Sequence, residues 1–226
     1  MDTPLLAAKL SPPPLFATVI NRSDLIARLA TAHARLTLIV APPGFGKTTL
    51  LISWLAGRAA ETTLTPNLRP PVACAWLSID VRDNDPTRFW SALPAALARA
   101  FPGLGDHARS MLQSPQPPSL DVVVSALIED LAALQDPCLL VLDDYHLIAD
   151  PDIHSGLALL IEHLPPQIRL VILSRSEPPL PLARLRVRGQ LSELRATDLR
   201  FSPSESAAFL HAHGLSLAPD ELAELA

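Results

Sequence analysis

Ala41-Pro-Pro-Gly-Phe-Gly-Lys-Thr48 is entered from the apolar run Leu36-Thr-Leu-Ile-Val40 and leads into a stretch of helical composition. A buried strand, a glycine-bearing turn and a helix start together describe a phosphate-binding loop. Successive backbone N–H groups face one point, and the helix presents its positive end to the same point. In that reading Gly44, Phe45 and Gly46 form the cradle, Lys47 reaches the β- and γ-phosphates of a nucleotide, and the Thr48 hydroxyl holds Mg²⁺. The full pattern is G-x-x-x-x-G-K-[ST], and Ala41 stands at its first position. Composition supports the reading, because Lys9 and Lys47 are the only lysines beside sixteen arginines. A compact ammonium fits inside a ring of N–H groups where a planar guanidinium is too wide.

A nucleotide site needs an acidic residue at the end of a second buried strand. Cys138-Leu-Leu-Val-Leu142 is apolar on both faces, as a parallel strand covered by helices is, and Asp143-Asp144 follow it. Asp143 at that edge is placed to bind Mg²⁺ through water. A third apolar run, Arg169-Leu-Val-Ile-Leu173, ends in Ser174-Arg175. In P-loop ATPases with an extra strand between the loop strand and the acidic strand, a polar residue there senses the γ-phosphate. Arg175 is the candidate, and an arginine pairing with a surface carboxylate at a strand end is the alternative.

The chain has 226 residues, with eighteen Lys plus Arg against twenty-three Asp plus Glu, a net charge of −5. This balance gives no electrostatic footprint for nucleic acid, so DNA binding would have to come from elsewhere. The start has neither the basic nor the apolar region of a signal peptide, and no apolar run approaches membrane-spanning length. A cytoplasmic protein with no membrane partner is expected. Cys74 and Cys138 lie in apolar strands and read as core residues. The spacings of His154 and His163, and of His211 and His213, do not resemble a zinc site.

The order of elements predicts an α/β three-layer sandwich with a mainly parallel sheet. A helix over 23–31 precedes the first strand, and another runs from Thr48 to about Arg58. An irregular connection over 60–71 leads to a strand over 72–77. Asp85-Pro86 starts a helix to about Ala100, residues 102–118 are broken by Pro and Gly, and a helix over 119–134 enters the acidic strand. Asp150-Pro151 caps a helix through Leu164, and Leu191–Leu194 makes a fifth strand. Residues 1–200 thus form one domain. Ser202-Pro-Ser-Glu205 is a capping box that opens a helix to about His211, and another helix starts at Asp220, so 201–226 read as the beginning of a helical domain.

The segments Lys9-Leu-Ser-Pro-Pro-Pro, Ala41 to Thr49, Ala75-Trp-Leu-Ser-Ile-Asp80 with Asp83-Asn-Asp-Pro86, Leu140-Val-Leu-Asp-Asp-Tyr-His146, Leu173-Ser-Arg175 and Leu185-Arg-Val-Arg-Gly-Gln190 occur in that order. Together they resemble the nucleotide-binding domain of the MalT-like, large ATP-binding LuxR-type transcriptional regulators, a group of the signal-transduction ATPases with numerous domains. Ala at the first loop position is usual in that family. The resemblance implies a switch that holds ADP at rest, exchanges it for ATP on induction, self-associates, and binds DNA through a C-terminal domain that this chain does not contain. The winged-helix domain is expected only to begin at the end of the chain.

By the same resemblance Lys47 and Thr48 bind phosphate and Mg²⁺, Thr49 approaches the α-phosphate and Asp143 holds the metal. Asp144 stands where active ATPases carry Glu, which implies slow hydrolysis, so the chain is at most a weak ATPase. Arg22 falls where the family places a motif near the nucleotide base; a solvated arginine at a helix start is the alternative. A preference for ATP over GTP rests on the resemblance, as no guanine-reading N-K-x-D is present. Two rival readings remain at this point. One is a small-molecule kinase with Arg184, Arg186 and Arg188 in a lid, and the other is an inactive interaction module.

Overall fold

The computed structural model describes residues 8–15, 19–32, 34–64 and 73–215. Strands β1 (Leu36–Val40), β2 (Ala73–Ser78), β3 (Cys138–Asp143), β4 (Ile168–Ser174) and β5 (Leu191–Arg195) pair in parallel in the order β2-β3-β4-β1-β5. β4 lies between β1 and β3, with Leu38 opposite Ile172 and Leu140 opposite Leu170. The extra strand between the loop strand and the acidic strand is therefore present.

Side chains alternate between two buried faces. Leu36, Leu38, Leu140, Leu142, Leu170 and Ile172 pack on one side against Phe89, Trp90, Val124, Leu127 and Leu157. Those partners come from helices α3 (Pro86–Ala100), α5 (Leu120–Ala132) and α6 (Pro151–Glu162), and α4 (Asp106–Leu112) joins them through Ala108. Ile39, Leu139, Val141, Val171 and Leu173 pack on the other side against α1 (Ser23–Thr31) and α2 (Lys47–Leu64), through Leu25, Leu29, Leu51 and Trp54. The layers are helix, sheet and helix, as expected for strands apolar on both faces. Short helices α7 (Leu182–Val187) and α8 (Ala196–Leu199) flank β5, and α9 (Pro203–Ala212) follows. Among the described residues no helix is long and apolar enough to cross a membrane.

The helix starts follow their caps. The Asp85 carboxylate accepts from the amide of Arg88 at 2.8 Å, and that of Asp150 accepts from Asp152 at 2.9 Å, each with proline at the first helical position. Asn84 Oδ1 accepts from the amides of Ala149 and Asp150 at 2.7 and 2.8 Å, which ties the start of α6 to the loop after β2.

Three boundaries differ from expectation. α2 continues to Leu64, so Ala60–Leu64 is helical rather than irregular; no Gly or Pro occurs between Arg58 and Leu64 to stop it. The rest of that connection and Val72 lie outside the described residues, as does the helix from Asp220. Within 102–118, α4 forms because the Gly and Pro residues cluster at its ends, with Gly105 at φ 78 preceding it. α7 forms over the segment of Arg184 and Arg186, with Arg188 as its C-cap, for which no helix was expected.

Two glycines in helices behave oppositely. A Cβ on Gly156 would lie 2.6 Å from Trp90 Cζ2, an indole with no exposure, whereas one on Gly57 would meet nothing within 4 Å. Gly156→Ala should destabilise the fold by about 1–3 kcal/mol through overpacking, and Gly57→Ala should stabilise it by up to about 1 kcal/mol; urea unfolding of both variants checks the opposite signs. Burial pushes the Cys138 thiol up to about 11 and the Cys74 thiol up to about 12. Because a raised pKa starves the thiolate, labelling of Cys138 in the native chain at pH 8 should be more than about 100-fold slower than that of a free thiol. Its rate should climb with each pH unit towards 11, as a stopped-flow thiol titration would read.

Candidate functional site

The phosphate loop begins where β1 ends. The Ala41 amide donates to the Ser174 carbonyl at 3.2 Å, fixing the loop's start to the end of β4. Gly44 (φ 83) and Gly46 (φ 73) take the left-handed conformation that other residues resist. Between them they turn the chain so that the amides of Gly44, Phe45, Gly46, Lys47 and Thr48 donate to no other described group. Such a run of unpaired N–H groups at a helix start is an anion cradle. Lys47 is buried, and its ammonium donates to the carbonyls of Ala41 at 2.7 Å and Pro42 at 3.0 Å. Burial pushes its pKa below the ordinary value; Asp144 and Asp143 oppose that shift and Arg175 adds to it.

Thr48 meets the acidic strand. Its hydroxyl lies 3.1 and 3.4 Å from the two carboxylate oxygens of Asp143, the last residue of β3. Burial, with a contribution from Asp144, pushes the Asp143 carboxyl up to about 6, although it accepts from the Asp144 amide at 2.9 Å. A hydroxyl and a carboxylate side by side in a desolvated corner are the hard oxygen donors that suit Mg²⁺. Asp144 itself is left-handed (φ 57), and among the described residues no other non-glycine is. This turn carries the chain into a 3₁₀ turn, Tyr145–Leu147, where His146 Nδ1 is buried without a hydrogen-bond partner, 3.7 Å from Asp144 Oδ1. Burial lowers the pKa of His146; Asp144 opposes the shift and Arg175 and Lys47 add to it. The structure thus gathers Lys47, Thr48, Asp143, Asp144 and Arg175 around one corner, and adds His146, whose role the sequence motif left unassigned. Arg175 is exposed at the end of β4 and pairs with no described carboxylate.

A cavity of about 1000 Å³ opens beside the loop. Gly44, Phe45, Gly46 and Thr49 line it, and so do Arg22, Phe201, Phe209 and His213. Arg22 is buried, not solvated, at 9% exposure. Its guanidinium donates to the carbonyls of Leu199 at 2.8 Å and Arg200 at 2.7 Å and to both carboxylate oxygens of Glu205 at 3.1 and 3.3 Å, and it lies 5.1 Å from the centre of the Phe201 ring. Its contacts therefore run to the segment before α9 and to α9 itself. The sequence reading missed the three rings from the chain's last described helix and its flanks. The spacing of Phe209 and His213, four apart after a capping box, was the available signal.

No family model matches the chain. It is 38% identical over 206 residues, 91% of its length, to the HTH-type transcriptional regulator MalT of Serratia proteamaculans (strain 568). To the MalT of Cronobacter sakazakii (strain ATCC BAA-894) it is 39% identical over the same span. The chain is MalT-like over nine-tenths of its length. It spans about one-fifth, 21%, of the length of those relatives. Among solved structures it is similar to Cdc6p from Pyrobaculum aerophilum, with a TM-score of 0.57 and 19% identity over 94% of this chain and 55% of that one. That likeness speaks for the fold, which is that of a P-loop ATPase.

Arg22 supplies the test of this arrangement. Arg22→Ala leaves Glu205 and two carbonyls without their partner and should cost about 2–4 kcal/mol in denaturant unfolding. Arg22→Lys should recover less than half of that, because an ammonium cannot reproduce the planar fork.

Proposed function

We propose that this chain binds a purine nucleoside di- or triphosphate with Mg²⁺, hydrolyses ATP slowly, and serves as the nucleotide-dependent switch of a MalT-like transcriptional regulator in the cytoplasm. One observation carries the reading. The amides of Gly44 to Thr48, which donate to no described group, stand at a helix start with the Lys47 ammonium and the Thr48–Asp143 pair in the same corner, and Gly44, Phe45, Gly46 and Thr49 of that turn line a cavity large enough for a nucleotide. Residues 1–200 would be the ATPase domain, and 201–226 the first part of a helical domain that closes the cavity.

In this reading the loop amides and Lys47 hold the β- and γ-phosphates, and Thr49 lies towards the α-phosphate. Thr48 and Asp143 would hold Mg²⁺, which when bound neutralises charge on the phosphate oxygens. Asp144 orients the attacking water, with His146 at its side, and its short carboxylate reaches less far than a Glu would. Arg175, which pairs with no described carboxylate and is close enough to act electrostatically on Lys47, is placed to meet the γ-phosphate. The kinase reading loses its lid, since Arg184 pairs with Glu162 at 2.6 Å and Arg186 with Glu193 at 2.8 Å, both on the exterior. Self-association, inducer sensing and DNA binding are proposed for the full-length regulator, not for these residues.

Calorimetry with Mg²⁺-ADP and Mg²⁺-ATP tests the reading. Both nucleotides should bind the 226-residue chain, and Lys47→Ala should weaken binding at least about 100-fold. Asp144→Asn should keep that binding and lower the hydrolysis rate by at least about tenfold. A folded wild-type chain that binds neither nucleotide would overturn the proposal in favour of the inactive interaction module.

A further inference from the structure

Three rings line the cavity from the side of α9. The centroids of Phe201 and Phe209 are 5.7 Å apart, and those of Phe209 and His213 are 4.3 Å apart. Phe201 and Phe209 keep 41% and 39% of their surface exposed. Flat apolar rings left open next to a phosphate cradle suit the stacking of a nucleobase, which every base permits equally. Stacking therefore gives affinity without choice of base. Choice needs a directional polar group on the same wall.

His213 is that group. Its Nδ1 lies 2.8 Å from the Phe209 carbonyl. A carbonyl oxygen can only accept, so Nδ1 carries the proton, and in the neutral ring Nε2 is left as an acceptor with no donor. No described group bonds Nε2. Adenine carries an amine at position 6, a donor, whereas guanine and hypoxanthine carry an oxygen there, an acceptor. An acceptor facing the first makes a hydrogen bond, and facing the second it sets two lone pairs against each other. Arg22 cannot make this choice, since a guanidinium only donates and cannot accept from a 6-amine, and four of its five N–H groups are committed to Leu199, Arg200 and Glu205. Ser53, also in the lining, spends its hydroxyl proton on the Thr49 carbonyl at 2.8 Å and is one competing acceptor; the Ser206 hydroxyl of α9 is another.

We infer that His213 is the base-reading residue of the site, accepting a hydrogen bond from the 6-amine of adenine and turning away 6-oxo purines. The inference rests on the nucleotide-binding reading above. It makes the segment after α9 a selector of the nucleotide as well as a wall of its cavity.

Calorimetric affinities for Mg²⁺-ADP and Mg²⁺-IDP on the 226-residue chain test it, with far-UV circular dichroism to confirm folding. The wild-type chain should favour ADP by at least about tenfold. His213→Phe, which keeps a ring on the wall but removes the acceptor, should bring the ratio to within about twofold while IDP still binds. His213→Gln, which restores an acceptor, should recover part of the preference. An ADP preference that survives in His213→Phe, or disappears instead in Ser53→Ala, would overturn the assignment while leaving nucleotide binding intact. Equal wild-type binding of ADP and IDP would do the same. A wild-type chain that binds neither would overturn the nucleotide reading itself, and this inference with it.

Discussion

The parallel alignment of strands buried on both faces governs the rest of this structure. Because β1, β3 and β4 run the same way and their side chains are locked into two cores, their C-terminal ends must discharge at one edge. Lys47 and Thr48 follow β1, Asp143 ends β3 and Arg175 follows β4. Neighbouring strands lie about 4.8 Å apart, so β1 and β3, with β4 between them, are separated by about 10 Å. Thr48 nevertheless reaches Asp143, because the loop leans across β4 and is fastened there by the Ala41 amide on the Ser174 carbonyl. The corner thus inherits its geometry from strand register, set by residues such as Leu38, Leu140 and Ile172 that never approach it.

The two lysines illustrate a second economy. The chain uses Arg wherever a cation spans spread acceptors. Arg22 bridges two carbonyls and a carboxylate, Arg169 reaches the carbonyls of Leu29 and Ala32, and Arg195 joins Glu177 to Glu193. Lysine appears where acceptors crowd one point. Lys47 sits on two loop carbonyls, and Lys9 is held between Asp80 and the buried Asp83. A point charge on a flexible stem satisfies such converging acceptors, and a planar fork does not. Lysine at converging acceptors is thus a feature of Lys9 as well as of Lys47.

What the sequence revealed and what it hid divide along sequence separation. The loop, the acidic strand and the helix caps are each encoded within a few residues, so apolar runs and cap residues disclosed them. The destination of Arg22 was not legible, since its partners lie 177 to 183 residues away and a buried arginine near a helix start looks like a solvated one in sequence. Phe201 and Phe209 read as ordinary apolar positions of a terminal helix, because nothing local says that a cavity faces them. The extra turns at Ala60–Leu64 and α4 were missed for the opposite reason. Gly and Pro in a sequence signal a break, yet Gly57 lies within α2 and those near α4 stand at its ends.

α9 carries no buried residue, and this bears on how the cavity works. A helix with no apolar face in a core is positioned by whatever polar ties and ligands it has. Here the Arg22 guanidinium is the principal described tie, made to Glu205 and to the two carbonyls that precede the helix. Loss of that clamp costs about 2–4 kcal/mol, because much of each hydrogen bond is regained from water. A ligand bound with micromolar affinity contributes about 8 kcal/mol. A ligand touching both the phosphate loop and the rings around α9 would therefore outweigh the clamp in deciding where α9 sits, to the extent that it binds one arrangement better than another. Weak intrinsic docking of the helix, and a cavity lined on one side by the phosphate loop and on the other by the rings around α9, are the two features on which the proposed conversion of nucleotide identity into position rests.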